Sequence, residues 1–289
     1  MNAVTTSTNP SINRIDAAFA RLKASGQKAF IPYIAAGVPG KAESIDLALM
    51  LGGLGADILE LGYPFSDPMA DGVVNQAAAT RALELGVTDA EYFDIVRGIR
   101  AQSELPLVVF SYLNPIFRLG LRAFAQRAKE AGADGFLLVD MPVEEADEML
   151  AICQEFDLRF IFLAAPTTTP DRLAKILEKG SGFLYYISRT GITGEQKGFQ
   201  EGFEAKLGAI KQAASASNLP VVVGFGVSTP EQVKAVCDLC DGAVVGSALV
   251  RRTLEDKPWP EMRAGLETLA KSLIAPAKAV GAPAKEKRA

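Results

Sequence analysis

A chain with no histidine has few ways to move a proton. Ser-His-Asp and Cys-His catalysis are excluded, and the commonest zinc ligand is missing. Acid–base work falls to Asp, Glu, Tyr, Lys or Cys. Two carboxylates stand out. Glu60 lies inside the apolar run Ile58-Leu-Glu-Leu-Gly62, and Asp71 lies in the loop Tyr63-Pro-Phe-Ser-Asp-Pro-Met-Ala-Asp71-Gly72. In an extended strand Ile58, Glu60 and Gly62 share one face, and Leu59 and Leu61 share the other. If the leucines pack on helices, Glu60 points into apolar surroundings. There a carboxylate must pair with Arg or Lys, or its pKa must rise; the second state suits proton transfer near neutral pH. Asp71 alone reads as a turn former in a Pro/Gly loop, but its loop is long enough to fold back over the same mouth.

Other segments suit an anion. Gly224-Phe225-Gly226-Val-Ser-Thr-Pro230 ends one apolar run and opens a helix, and Gly246-Ser247-Ala-Leu249 does the same after the next. Glycines let backbone N–H groups approach phosphate, and helix N-termini favour negative charge. A further stretch, Ser188-Arg-Thr-Gly-Ile-Thr-Gly194-Glu-Gln-Lys-Gly198, is polar and glycine-hinged, as a lid would be; a plain surface loop is the alternative. Subtraction narrows the mechanism. A Schiff-base enzyme needs a lysine on a strand, and a metal enzyme needs clustered ligands that Glu60 and Asp71 alone do not make. Metal-free acid–base catalysis by carboxylates remains.

These residues need a frame. Short β-rich runs recur at 30–35, 58–62, 107–111, 135–139, 159–163, 182–187, 221–224 and 242–245. Helical patterns fall between them at 44–54, 90–101, 121–131, 143–156, 170–179, 203–216 and 230–239. Continuous apolar strands alternating with amphipathic helices predict a parallel sheet covered by helices. The joints repeat: Gly55-Ala-Asp57 and Gly132-Ala-Asp134 each lead into a strand, and Cys240-Asp241-Gly242 is a looser version. Eight such units predict a (β/α)8 TIM barrel over residues 1–273, with an open doubly wound sheet as the alternative. An extra N-terminal helix is expected at 12–25, small helices in the insertion after strand two, and a disordered tail at 274–289. In such barrels the site lies at the C-terminal ends of the strands.

Net charge is −4, with both signs interspersed, so neither nucleic acid nor a membrane surface is indicated. The polar N-terminus and the lack of a run of ~20 apolar residues point to the cytoplasm. Cys153, Cys237 and Cys240 are too few for a disulfide framework. The CxxC pair closes a helix rather than opening one, so the thiols read as structural and reduced.

Several motifs resemble tryptophan synthase α subunits, in that family's order from about Ile12 to Leu273. They are Phe30-Ile-Pro-Tyr-Ile-Ala-Ala-Gly-Val-Pro-Gly40, Leu59-Glu-Leu-Gly-Tyr-Pro-Phe-Ser-Asp-Pro-Met-Ala-Asp-Gly72, Tyr112-Leu-Asn-Pro115, Ser188-Arg-Thr-Gly-Ile-Thr-Gly194, Gly224-Phe-Gly-Val-Ser-Thr-Pro230 and Gly242-Ala-Val-Val-Gly-Ser247. The resemblance implies a lyase that cleaves indole-3-glycerol phosphate to indole and glyceraldehyde 3-phosphate. Glu60 would move protons between the glycerol hydroxyl and indole carbon 3. Asp71 would accept from the indole N–H, and Tyr185 matches an active-site tyrosine. Thr193 matches a lid threonine. Phosphate would sit near Gly194, Phe225, Gly226, Gly246 and Ser247, with Tyr33, Phe110, Tyr112 and Leu137 as walls around the ring. The chain itself would carry no cofactor. Its implied partner is the β subunit, a pyridoxal-phosphate enzyme, in an α2β2 assembly, faced by Asp67 and by the 112–120 loop with Asn114. Tyr63, Val73 and Asn75 depart from the family pattern and bear on the shape of the Asp71 loop. A stand-alone lyase, another phosphate-binding barrel enzyme and a non-catalytic activating subunit are the competing readings.

Overall fold

The computed structural model describes residues 12–187, 202–224 and 226–279. Among them, nine parallel strand segments form one sheet: β1 (Ala29–Ala35), β2 (Leu59–Gly62), β3 (Leu107–Ser111), β4 (Gly135–Leu138), β5 (Arg159–Ile161), β6 (Leu163–Ala164), β7 (Leu184–Ile187), β8 (Val221–Gly224) and β9 (Gly242–Val245). Their spatial order is β5-β4-β3-β2-β1-β9-β8-β7-β6. The expected fifth strand is therefore two pieces. Its first half pairs with β4 and its second with β7, so the chain from Arg159 to Ala164 closes the barrel. This is a (β/α)8 barrel, with the fifth strand changing neighbours at Phe162.

The barrel has two apolar layers of opposite parity. Inside lie Ile31, Tyr33, Ile58, Val108, Phe110, Leu137, Ile161, Tyr185, Val222 and Val244. Outside, Phe30, Ile34, Leu59, Leu61, Val109, Phe136 and Tyr186 pack under the helices. Helix α1 (Arg14–Ser25) stoppers the N-terminal end. Its buried Ile15, Phe19 and Leu22 join the inner layer, and Phe19 meets Phe183 at 5.7 Å between ring centroids. Each such side chain contributes roughly 1.5–3 kcal/mol by leaving water. Asn13 caps this helix through Ile15 N at 2.9 Å, and its amide donates to the carbonyls of Asp134 and Asp157.

The repeated aspartates at the helix-to-strand joints have one job. Asp57 accepts from Phe30 N at 2.9 Å, Asp134 from Leu107 N at 2.8 Å and Asp241 from Val221 N at 3.0 Å. Each carboxylate thus satisfies an amide on the neighbouring strand that the ladder leaves unpaired. Each also has cations: Arg21 and Lys278 at Asp57, Arg14 and Arg100 at Asp134, Lys28 and Lys211 at Asp241. At this face, charge burial is offset by pairing.

The helices that follow strands carry the loops of the other face. They include α2 (Lys41–Gly53), α3 (Val73–Glu84), α4 (Asp89–Arg100), α5 (Leu113–Leu119) and α6 (Leu121–Ala131). They continue with α7 (Asp147–Glu155), α8 (Pro170–Lys179), α9 (Phe203–Ser215), α10 (Pro230–Leu239), α11 (Ser247–Thr253) and α12 (Trp259–Ala279). The last corrects the tail expected from residue 274. Helix α12 continues to Ala279 because Ile274 and Ala277 are buried, and Lys278 pairs with the buried Asp57. Residues 280–289 lie outside the described set. Cys153, Cys237 and Cys240 are buried free thiols, and burial pushes each up to about 12. Among the described residues, no helix is long and apolar enough to cross a membrane.

Candidate active site

Glu60 sits on the inner face of β2, in register with Tyr33 on β1 and Val108 on β3. Only 1 % of it is exposed, and neither carboxylate oxygen has a hydrogen-bond partner among the described residues. Burial holds its pKa well above the ordinary range. The contrast with Asp57 and Asp134 decides how to read it. Those buried carboxylates are structural and neutralised, whereas Glu60 is structurally unsupported at the mouth. Such a group costs stability and persists where its proton is useful.

The loop at residues 63–72 brings Asp71 to the same end. A turn closes through Met69 N to Asp67 O at 2.9 Å and Asp71 N to Pro68 O at 3.0 Å. Gln76 ties the Asp71 carbonyl at 2.9 Å. The Asp71 side chain is buried and accepts from the Tyr112 hydroxyl at 3.2 Å. Burial raises it to about 6, against the lowering effect of hydrogen bonds from Tyr112 and Asn75. Tyr33 lies between the two acids; burial, then Asp71 and Glu60, raise its hydroxyl.

Sequence reasoning undervalued two residues here. Tyr112, expected only as a ring wall, also organises the loop, because its hydroxyl takes Ala70 N at 3.0 Å while donating to Asp71. Asn75, expected as a disturbance, is a second donor to Asp71. The signal was faint: a polar residue four positions after an aspartate is an ordinary helix start. Tyr112→Phe should remove one hydrogen bond that favours the ionised Asp71. If turnover requires ionised Asp71, the acidic limb of kcat/KM should move to higher pH. An unchanged limb in a pH–rate profile would disconnect Asp71 from the activity.

The expected walls come together. Phe110 is in register with Gly62 and Leu137, and its ring meets that of Tyr33 edge-on at 5.0 Å. Tyr185 projects inward from β7. Two strand-end glycines make room for the tyrosines: a Cβ on Gly62 would lie 2.3 Å from the Tyr33 hydroxyl, and one on Gly224 would lie 1.9 Å from that of Tyr185. Gly226 has φ of +90°, and Gly246 precedes α11 with Tyr33 close beneath it. The Ser228 and Thr229 amides are occupied by Gln232, at 2.8 and 3.2 Å. Ser247 is the first residue of α11. Thr193, Gly194 and Phe225, and the whole 188–198 loop, lie outside the described residues. Asp67 is exposed on the loop after β2, and Asn114 is exposed on α5. No described strand carries a lysine, and no described group of three His, Cys, Asp or Glu could hold a metal.

A family model for the tryptophan synthase alpha chain matches residues 19–275. The chain belongs to that family. It is 44 % identical to the tryptophan synthase alpha chain of Opitutus terrae over 92 % of this chain and 100 % of the relative. With that of Geobacter sulfurreducens it shares 45 % identity over 83 % of this chain and 90 % of the relative. Its fold is similar to a chain of Mycobacterium tuberculosis tryptophan synthase, with TM-score 0.82 and 33 % identity over 92 % and 98 % of the two chains. Subunit alpha from Legionella pneumophila gives TM-score 0.78 and 38 % identity over 92 % and 100 %. In this chain Glu60 and Asp71 lie at the C-terminal end of the strands, where barrel enzymes do their chemistry.

Proposed function

We propose that this site cleaves indole-3-glycerol phosphate to indole and glyceraldehyde 3-phosphate by a metal-free retro-aldol reaction. The observation that carries the reading is Glu60, a buried carboxyl at the catalytic end of the barrel with no hydrogen-bond partner among the described residues. Its raised pKa keeps a proton available for indole carbon 3. Glu60 as carboxylate then takes the glycerol hydroxyl proton as the carbon–carbon bond breaks and the aldehyde forms. Asp71, ionised above about pH 6, faces the cation that develops on the ring nitrogen. Tyr33, Phe110, Leu137 and Tyr185 exclude water around the ring. Phosphate binds the backbone near Gly226, Gly246 and Ser247, with Phe225 and Gly194 completing that site and Thr193 helping to position Asp71, as the family resemblance implies.

This chemistry needs no cofactor in this chain. The reading places it in the cytoplasm as an α subunit beside a pyridoxal-phosphate β subunit, two of each. Exposed Met69 on the loop after β2 and exposed Phe117 on α5 support an apolar partner there, beside Asp67 and Asn114. Purified chain should cleave the substrate slowly, and added β subunit should raise kcat. Full turnover unchanged by β would favour a stand-alone lyase; no turnover in either state would refute the reading. Gly226→Val, strained at positive φ, and Gly246→Asp, which puts charge beside the anion, should weaken glycerol phosphate binding by about ten-fold or more. Calorimetry with intact circular dichroism checks this placement, and unchanged affinity would move the phosphate elsewhere.

A further inference from the structure

A run of side-chain contacts joins the Asp71 loop to α5. Tyr63 is the first residue after β2, and its amide donates to Phe110 O at 2.8 Å. Its ring is buried against Tyr92 and Phe124, at 4.7 and 5.5 Å between centroids. That packing aims its hydroxyl at Asp89, to which it donates. Asp89 is the first residue of α4, where the helix dipole favours its charge. Arg118, on α5, donates to both Asp89 oxygens at 3.1 and 2.9 Å. At its other end α5 begins beside Tyr112, whose hydroxyl holds Ala70 and Asp71.

Helix α5 therefore grips both ends of one loop. Through Arg118 and Asp89 it holds Tyr63, where residues 63–72 begin. Through Tyr112 it holds Asp71, where they end. Asn114 and Phe117 on the same short helix face solvent, Phe117 being 69 % exposed. We propose that Tyr63, Asp89 and Arg118 are positioning residues that form a relay, coupling what docks on α5 to the placement of Asp71 and so to turnover. The proposal rests on the function proposed above. A shift of α5 cannot leave Asp71 where it is while the relay holds, because loop start and loop end are fastened to one rigid element. Cut between Tyr63 and Asp89, and only the Tyr112 end still follows.

The test compares kcat with and without saturating β subunit for the parent chain, Tyr63→Phe, Arg118→Ala and the double variant. Tyr63→Phe keeps the ring packing and removes only the hydroxyl. Each single variant should reduce the activation ratio at least about five-fold, and the double should lose no more than either single. KM should stay within about two-fold, because neither residue touches the ring or phosphate pocket. A lowered melting temperature with an unchanged ratio would show a merely structural contact and overturn the proposal. So would losses that multiply in the double variant. Hydrogen exchange on the isolated chain separates this from the partner reading. Arg118→Ala should speed exchange across residues 63–72, beyond Asp89, as well as in α5. Exchange altered only in α5 overturns the relay. If the parent chain is not activated by β yet the 63–72 exchange responds, the relay stands and the partner reading fails.

Discussion

Glu60→Gln should lower kcat for cleavage of indole-3-glycerol phosphate by about 10²–10⁴ while leaving substrate affinity nearly unchanged. Glutamine keeps the size of the side chain and its capacity to hydrogen-bond, but cannot give or take the proton. The phosphate anchors near Gly226 and Gly246 are untouched, so KM and glycerol phosphate binding should hold. The same change should stabilise the fold as pH rises. Burial lifts the pKa of Glu60 in the folded chain above its unfolded value, so folding binds the proton more tightly. Stability from this group is full below the unfolded pKa and is lost as pH climbs through the folded one. Gln has no such loss, so the advantage of the variant in urea melts should widen with pH. A kcat near that of the parent would end the mechanism.

Asp71→Asn separates charge from shape in the same way. The carboxylate accepts hydrogen bonds from Tyr112 and Asn75, yet burial still leaves it at about 6 rather than its ordinary 3.8. The folded chain therefore prefers Asp71 protonated, and stability falls as pH rises from about 3.8 to about 6. Over that span the cost of keeping it ionised at neutral pH is about 3 kcal/mol, to order of magnitude. Asn escapes that cost, so the variant should be more stable at pH 7.5, with the gain shrinking toward pH 5. Its kcat should nevertheless fall by about 10²–10³, because the charge opposite the developing ring cation is gone. Chemical denaturation at the two pH values and steady-state kinetics check the pair. A variant as active as the parent would show that the charge of Asp71 does not serve the reaction, and one no more stable than the parent at pH 7.5 would show that its ionisation carries no such cost.

Both predictions depend on a contrast that only three dimensions supply. Asp57, Asp134 and Glu60 are all buried carboxylates just inside or beside a strand. In sequence, the Gly-Ala-Asp joints read as strand entries, and nothing in them announced that their carboxylates would each take a neighbouring strand's amide. Those amides are 27 residues away for Asp57 and Asp134 and 20 for Asp241. Among the described residues, Glu60 has no such amide and no cation. Local pattern could say that it pointed inward, but not that it stood alone. Tyr112 shows the same limit, because its hydroxyl reaches Asp71, 41 residues away in the chain, only after the loop has folded back.

The sequence by itself determined the alternation of strand and helix, the inward parity of Glu60, and the exclusion of histidine chemistry. Strand parity has a period of two residues, helix pattern a period near four, and residue absence needs no geometry at all. Tertiary structure decided where the fifth strand breaks, because Arg159–Ile161 and Leu163–Ala164 answer to different neighbours as the sheet curls shut. It decided that α12 runs to Ala279, because Ile274, Ala277 and Lys278 find partners near β1 and Asp57. It also decided that Asp71, 11 residues along the chain from Glu60, ends buried beside Tyr112 rather than in water. Periodicity is written in neighbours along the chain; pairing, burial and charge balance are set by residues tens to hundreds of positions apart, which meet only when the barrel closes.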